Sequence, residues 1–247
     1  MIEQVEGVVI KVNDYSDNDK ILALFSDKHG KINVIAKGAR KNKSKNLSCC
    51  QLFVEGSYHL YRGKKMYTLN SCDLVNANYK IRENLYAFAY TNLICELMVK
   101  LLPDEDAHAN IYQMLHKTLG YMEQSTDETA QICALAFTIK LIAMIGYKIQ
   151  LKECTCCGEE INLKEPLGFS ILEGGVVCAK CQKHTDLQLK VSVYQTLYQL
   201  LYYRFEELSK IEYNKEIMSM VQSLIVDYLY YHSGISNLKS LDFIHSL

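Results

Sequence analysis

Two pairs of cysteines carry the most specific chemistry in the chain. Cys154 and Cys157 have two residues between them, as do Cys178 and Cys181, and twenty residues separate the pairs. Two intervening residues let a tight turn aim both sulfurs at one point, and two such knuckles face to face complete a tetrahedron. The spacing therefore predicts one structural Zn2+ per chain, held in segment 151–185 by Cys154, Cys157, Cys178 and Cys181. A closed shell of four thiolates leaves no position for water, so such an ion supports the fold and does no catalysis. Gly158, Gly174 and Gly175 supply the permissive backbone that knuckles and an intervening hairpin need. Cys156 puts a third thiol into the first knuckle, and the two-residue spacing selects Cys154 and Cys157 over it. A redox CxxC would open the helix of a thioredoxin-like unit, which the surrounding pattern does not offer. Cys49, Cys50, Cys72, Cys95 and Cys133 lack a ligand pattern and read as small core hydrophobes.

The second chemical signal is charge. Between Lys28 and Val54 lie seven basic residues, Lys28, Lys31, Lys37, Arg40, Lys41, Lys43 and Lys45, and no acidic one. The stretch Gly38 to Ser44 mixes these cations with small residues that let backbone approach phosphates. Arg62, Lys64 and Lys65 form a second basic turn. Cations that neutralise phosphates release counterions, so such a face binds nucleic acid with a strong salt dependence and little sequence preference. The DNA-binding set is accordingly Lys31, Lys37, Arg40, Lys41, Lys43, Lys45, Arg62, Lys64 and Lys65. Tyr58, Tyr61 and Tyr67 lie on neighbouring strands, where they either stack bases or fill a barrel core. The competing reading of the whole segment is a solvated loop.

Catalytic patterns are missing. No H-x-E accompanies the cysteines as in zinc deaminases, no G-x-x-x-x-G-K-[ST] loop cradles a nucleotide, and no obvious carboxylate cluster on a barrel face and no convincing Cys/His pair suggests a catalyst. The expectation is a protein without enzymatic activity or a small-molecule substrate.

These residues need a scaffold, and the hydrophobic period changes once along the chain. Up to about residue 76 it is that of strands: Val8, Ile10 and Val12; Ile21 to Phe25; Ile32, Val34 and Ala36; Leu52, Val54, Tyr58 and Leu60; and Met66 to Leu74. Five short strands leave fewest open edges by closing, and a five-stranded OB-fold barrel is the commonest solution, with an SH3-like barrel as its rival. From Tyr79 the spacing is helical. A first helix runs to Pro103, and an acidic group, Asp104 to Asp106, opens the next. Ser125 and Glu128 stand at capping-box spacing before a helix to Tyr147 that is apolar on nearly every side. Further helices are expected over 191–208 and from Lys215 to a stop at Gly234. The fold class is thus α+β and multi-domain: an OB-fold barrel over 1–78 and an all-α domain over 79–247 with the zinc knuckle inserted.

Composition agrees. Of 247 residues 49% are apolar and 22% charged, close to globular averages. The net charge of −1 conceals a split, with 13 basic against 8 acidic residues up to position 80 and 14 against 20 beyond it. A polyanion partner for the first half follows. The N-terminal residues alternate like a strand and lack the order of a secretion signal, so a cytoplasmic setting is expected. Ile132 to Ile145 is too short to span a bilayer and contains Lys140, so no membrane segment is expected.

Taken together, these segments resemble the bacterial recombination mediator family RecO. Asp14 to Leu22 is similar to that family's first barrel loop and second strand, Ala36-Lys37-Gly38-Ala39-Arg40-Lys41 to its basic A-[KR]-G-[AV]-[RK] segment, and the paired knuckles to those of zinc-bearing members. The resemblance implies a nucleoid-associated DNA repair protein that binds single- and double-stranded DNA and anneals complementary strands. It also implies that, with RecR, the protein helps load RecA onto DNA coated by the single-strand binding protein. The extra Cys156 departs from the family's pattern. The alternative is a zinc-ribbon scaffold for protein interactions, using the acidic second half and not touching DNA.

Overall fold

The computed structural model describes residues 2–41 and 43–247; Met1 and Asn42, the latter within the basic stretch, lie outside the described residues. The first five elements are β1 (Ile2–Asp14), β2 (Lys20–Ser26), β3 (Gly30–Ala36), β4 (Glu55–Arg62) and β5 (Tyr67–Asn76). They close into a barrel in the order β1-β2-β3-β5-β4, with β4 pairing back onto β1. Only β3 and β5 run parallel, meeting at Val34 and Tyr67.

One strand has to serve both neighbours, and β1 does so by bending. Its register against β2 slips between Val9 and Lys11, which is the signature of a β-bulge. Simple alternation would put Val8, Ile10 and Val12 on one face. Instead Val5 and Val9 enter the barrel core with Leu22, Leu24, Ile32 and Tyr58, and Val12 packs at its margin. Val8 and Ile10 are buried outside that core, on a strand that packs against α2 (Leu85–Leu101).

The boundary read at residue 78 follows the change from strands to helices, whereas compactness divides the chain elsewhere. One unit comprises residues 1–125 and 238–247, the other residues 126–237. In the first, α1 (Tyr79–Glu83), α2, α3 (Ala109–Met122) and α7 (Lys239–His245) accompany the barrel. The reason is a buried polar clasp. Asn78, fully buried in a left-handed backbone conformation, donates from Nδ2 to Phe53 O at 2.8 Å and to Glu55 Oε1 at 2.9 Å. The other Glu55 oxygen meets His116 of α3. Phe53 also sets its ring edge-on to Phe88 of α2, with centroids 5.8 Å apart. A buried carboxylate without these partners would be strongly destabilising.

In the second unit α4 (Asp127–Met144) is the centre, buried on almost every side, with α5 (Val191–Tyr202) and α6 (Lys215–Ser233) packed on it. The expected cap at Ser125 falls one residue later. Thr126 Oγ1 accepts from Thr129 N and Thr129 Oγ1 accepts from Thr126 N, which puts Asp127 and Glu128 in the first turn beside the helix's positive end. Lys140 resolves its place in an apolar helix by donating to Leu201 O and Tyr203 O, both at 2.7 Å. Burial pushes its ammonium down to about 8. There the chain leaves the helix expected to continue to Leu208: Tyr203 and Arg204 are extended, and a 3-10 turn follows over Phe205–Lys210. Gly234 ends α6 in the left-handed region, as expected.

The all-α expectation for the C-terminal part is corrected. A three-stranded antiparallel sheet of β6 (Leu167–Ser170), β7 (Gly175–Cys178) and β8 (Leu187–Leu189), in the order β7-β6-β8, occupies the cysteine segment. That segment supplies apolar anchors of its own, since Leu151, Leu167, Phe169, Val176 and Val177 are buried. Phe169 meets Tyr228 of α6 edge-on at 6.2 Å. Among the described residues no helix is long and apolar enough to cross a membrane.

The first unit ends on a carboxylate-capped helix. Glu96 accepts from Lys239 N at 3.2 Å, Ser240 N at 2.9 Å and Ser240 Oγ at 2.6 Å, and pairs with Lys100 at 3.2 Å. Burial pushes this carboxyl up, but the Ser240 hydroxyl and amide, Lys100 and the Lys239 amide outweigh it and hold it below its ordinary value. Its stabilising contribution is therefore present above the unfolded carboxyl range of about 4.3 and is lost as pH falls through the folded value. Glu96→Gln is expected to cost roughly 1–2 kcal/mol at neutral pH and to speed amide exchange over Leu241 to Ile244. Urea unfolding of both proteins across pH checks this: the gap should close as the solution is acidified, and a gap independent of pH would refute it.

Candidate metal centre and nucleic-acid interface

The knuckles form where backbone amides turn back on the carbonyl oxygen of the first cysteine of each pair. Gly158 N bonds Cys154 O at 2.9 Å, closing the first turn with Gly158 in the left-handed region, and Cys181 N bonds Cys178 O at 3.0 Å in the second. The β6–β7 hairpin brings the turns together. The four sulfurs of Cys154, Cys157, Cys178 and Cys181 lie within 4.8 Å of one another, and Cys157 Sγ stands 3.9 Å from Cys178 Sγ. An ion with metal–sulfur bonds of about 2.3 Å needs tetrahedral sulfurs about 3.8 Å apart, so the donor set fits one metal ion. Cys156 is exposed and outside the cluster, so the thiols gathered here are those at the two-residue spacing.

Proton affinities agree with a site built for a cation. Burial pushes the Cys154 thiol up, but amides of Cys178, Cys157 and Cys156 aimed at it bring it down to about 6. Cys181 moves the other way, raised by hydrogen bonds with Cys178 and Cys157. Four sulfurs this close cannot all shed their protons unless a positive ion sits among them.

The basic residues separate into two groups. Lys37, Lys41, Lys43 and Lys45 are exposed, and their side chains enter no ion pair or hydrogen bond among the described residues. Their loop is nevertheless fixed at its start. Gly38 N donates to Asp19 Oδ1 at 2.8 Å and Arg40 N to Asn18 O at 3.0 Å, tying it to the β1–β2 turn. Gly38 holds the left-handed conformation this turn requires. Arg40 belongs to the scaffold as much as to the surface, since it donates to Ser16 O at 2.7 Å and pairs with Asp14 at 3.4 Å.

Lys31 leaves the candidate set. Its side chain is only 12% exposed, donates to Val99 O at 2.7 Å and pairs with Asp104 at 3.2 Å. Arg62 remains exposed but pairs with Glu105 at 3.2 Å, while Lys64 and Lys65 are exposed beside it. Register sends the two basic turns to opposite ends of β3: Lys37 follows Ala36, the partner of Lys20, whereas Lys65 precedes the Tyr67–Val34 pair from the other side. Of the three tyrosines, Tyr58 and Tyr67 are buried in the barrel and Tyr61 is 54% exposed.

Sequence reading missed the acidic segment's destination. Asp104 to Asp106 does not open the next helix, since α3 starts at Ala109 with no acid in its first turn; the segment lies along β3 in a parallel bridge between Asp104 and Lys31, with Glu105 N bonded to Lys31 O at 2.9 Å. Gly30 is required there, because a Cβ would collide with Asp106 O. The run of three acids was visible, but nothing in its spacing says that it returns to a strand some seventy positions earlier.

Together these parts define a class: a strand-rich, OB-like N-terminal domain ahead of a helical region that gathers four cysteines. Residues 1–78 match the family described as Recombination protein O N terminal, and residues 82–242 the one described as Recombination protein O C terminal. The chain belongs to the RecO family. A DNA repair protein RecO of Clostridium novyi is 30% identical over 246 residues, covering 100% of this chain and 94% of that protein. Its namesake in Bacillus cytotoxicus is 29% identical over 251 residues, covering 100% and 98%, and that of Halalkalibacterium halodurans 28% over 249 residues, covering 100% and 96%.

Elemental analysis of the purified chain is expected to find about one divalent metal ion per molecule. Cys154→Ser or Cys181→Ser should abolish it and lower the melting temperature, in line with the order of 10 kcal/mol that such sites can supply. Cys156→Ser should leave metal content unchanged. Metal lost in Cys156→Ser and kept in Cys157→Ser would reverse the ligand assignment.

Proposed function

We propose that the chain is a non-enzymatic, DNA-binding mediator of recombinational repair. Its closed five-stranded barrel is read as an OB-fold, and its four thiolates as the seat of a structural Zn2+, the ion that favours a tetrahedral sulfur shell. The domains of this reading are 1–78 for the barrel and 79–247 for the helical part.

One observation carries it: among the described residues, Lys37, Lys41, Lys43 and Lys45 stand unpaired on an exposed loop anchored to the barrel. Cations without internal partners gain most from polyanion binding, because nothing has to be broken to release counterions from phosphates. Arg40, Lys64 and Lys65 add to the positive surface. A surface that neutralises backbone charge without reading bases suits both single- and double-stranded DNA. It also suits annealing, where the repulsion between two strands is the barrier to be lowered. Membership of the RecO family and likeness to relatives named DNA repair protein RecO support the place of this activity in DNA repair and recombination, and the finer steps are those that the family resemblance implies. Those are assistance to RecA loading together with RecR, on DNA coated by the single-strand binding protein, in the cytoplasm at the nucleoid.

Replacing Lys37, Lys41 and Lys43 together with Ala is expected to weaken binding to all oligonucleotide sequences alike. The slope of log affinity against log salt should flatten by about 2 on single strands, and annealing of complementary strands should slow in parallel, with circular dichroism unchanged. An unaltered slope would remove this loop from the DNA surface. Absence of binding by the unmodified chain at low salt would favour the protein-interaction scaffold instead.

A further inference from the structure

The second basic turn is already occupied by part of the protein itself. Beside it lies an open cleft of about 610 Å³, lined by Glu3, Tyr61, Arg62, Gly63 and Lys64. It combines what a nucleotide in a single strand presents surfaces for: an exposed aromatic ring for the base, and two cations for the flanking phosphates. Glu3 Oε1 is buried there without a hydrogen-bond partner among the described residues, although Glu3 Oε2 is paired with His29 at 3.0 Å. Among the described residues, the guanidinium of Arg62 is the one of these two cations with an internal counter-ion, the Glu105 carboxylate at 3.2 Å.

That carboxylate sits on a strap held in place by other means. Asp104 is fixed by Lys31 at 3.2 Å and by Asn33 Nδ2 at 3.2 Å, and the Glu105 amide by Lys31 O at 2.9 Å. Glu105 itself has a φ of 57°, a left-handed conformation that residues with a side chain rarely adopt. The backbone is thus constrained to present Glu105 to Arg62, while the pair it makes there is solvent-exposed on both sides, 61% for Arg62 and 53% for Glu105. Exposed ion pairs are weak and exchange readily with other anions.

Resting on the DNA-binding reading above, we propose that the Tyr61–Arg62–Lys64 cleft takes one nucleotide of single-stranded DNA, and that Glu105 is a built-in competitor standing where its phosphate binds. Binding swaps the Glu105–Arg62 pair for a phosphate–Arg62 pair. The strap remains anchored by Asp104, so it returns when the strand leaves. The effect is to discriminate against weak or isolated anions at this turn while the Lys37 to Lys45 loop stays open to any polyanion.

The test uses the full chain and a short fluorescent single strand of mixed sequence, with affinity measured across salt. Glu105→Gln, which keeps the side chain's shape, is expected to tighten binding about two- to fivefold at low salt, the range set by a weak exposed pair. Arg62→Ala should erase that gain, so that the double variant binds no better than Arg62→Ala alone. Tyr61→Ala should weaken single-strand binding without altering the salt slope and leave duplex binding unchanged. An equal gain from Glu105→Gln in the Arg62→Ala background would mean that net charge alone is at work and would overturn the competitor. No loss in Tyr61→Ala would overturn the cleft. Binding by the unmodified chain that is indifferent to Glu105→Gln refutes this inference and leaves the DNA reading intact; no binding by either protein refutes both.

Discussion

Closure of a five-stranded sheet on itself is the constraint from which the first unit follows. A sheet this small would expose two edges of unpaired amides and carbonyls, and closing it satisfies them. Closure asks β1 to pair with β2 along one part and β4 along another, and the bulge at Ile10 is how a single strand does both. The slip moves Val9 inward and leaves Val8 and Ile10 buried on the side that meets α2. One inserted residue therefore both completes the barrel and creates the seat for its helical neighbours. The buried Glu55, held by Asn78 and His116, fastens that seat with a carboxylate that cannot be left without donors.

A different balance governs the second unit. Its central helix α4 has no polar face and depends on α5 and α6 to cover it, which is why Lys140 has to reach the end of α5 for its hydrogen bonds. The inserted sheet has three strands of 4, 4 and 3 residues, and packing against a helix adds to the stability of so short a sheet. It leans on α6 through Phe169 and Tyr228, and its loops converge on four sulfurs. Apolar anchoring and thiolate convergence reinforce one another, because the hairpin that buries Val176 also delivers Cys178 to its partners.

Charge is distributed by consequence. Some cations hold the fold: Lys31 beneath the acidic strap, Arg40 on the β1–β2 turn, and Lys20 with its Nζ 3.4 Å from Cys50 O. Others, Lys37, Lys41, Lys43 and Lys45, have no internal side-chain partner among the described residues and remain available to anything negatively charged. Arg62 stands between these groups, exposed yet paired. A count of basic residues treats all of them alike, whereas their availability to an outside anion depends on whether an internal one already holds them.

How much was legible beforehand follows from the range of the interactions involved. Local patterns were decisive for the knuckles, since two intervening residues dictate a turn wherever it occurs. They were decisive too for the change from strand to helix period near residue 78 and for the Gly234 stop. What lay beyond the sequence were features set by long-range contacts. The bulge in β1 answers to two partners, the C-terminal sheet borrows its support from α6, and Asp104 to Asp106 finds β3 only after the chain has folded. Spacing along a chain encodes what neighbours do to one another through a few bonds. Which cations stay free is decided by residues seventy positions apart meeting through space, and that only the tertiary structure could determine.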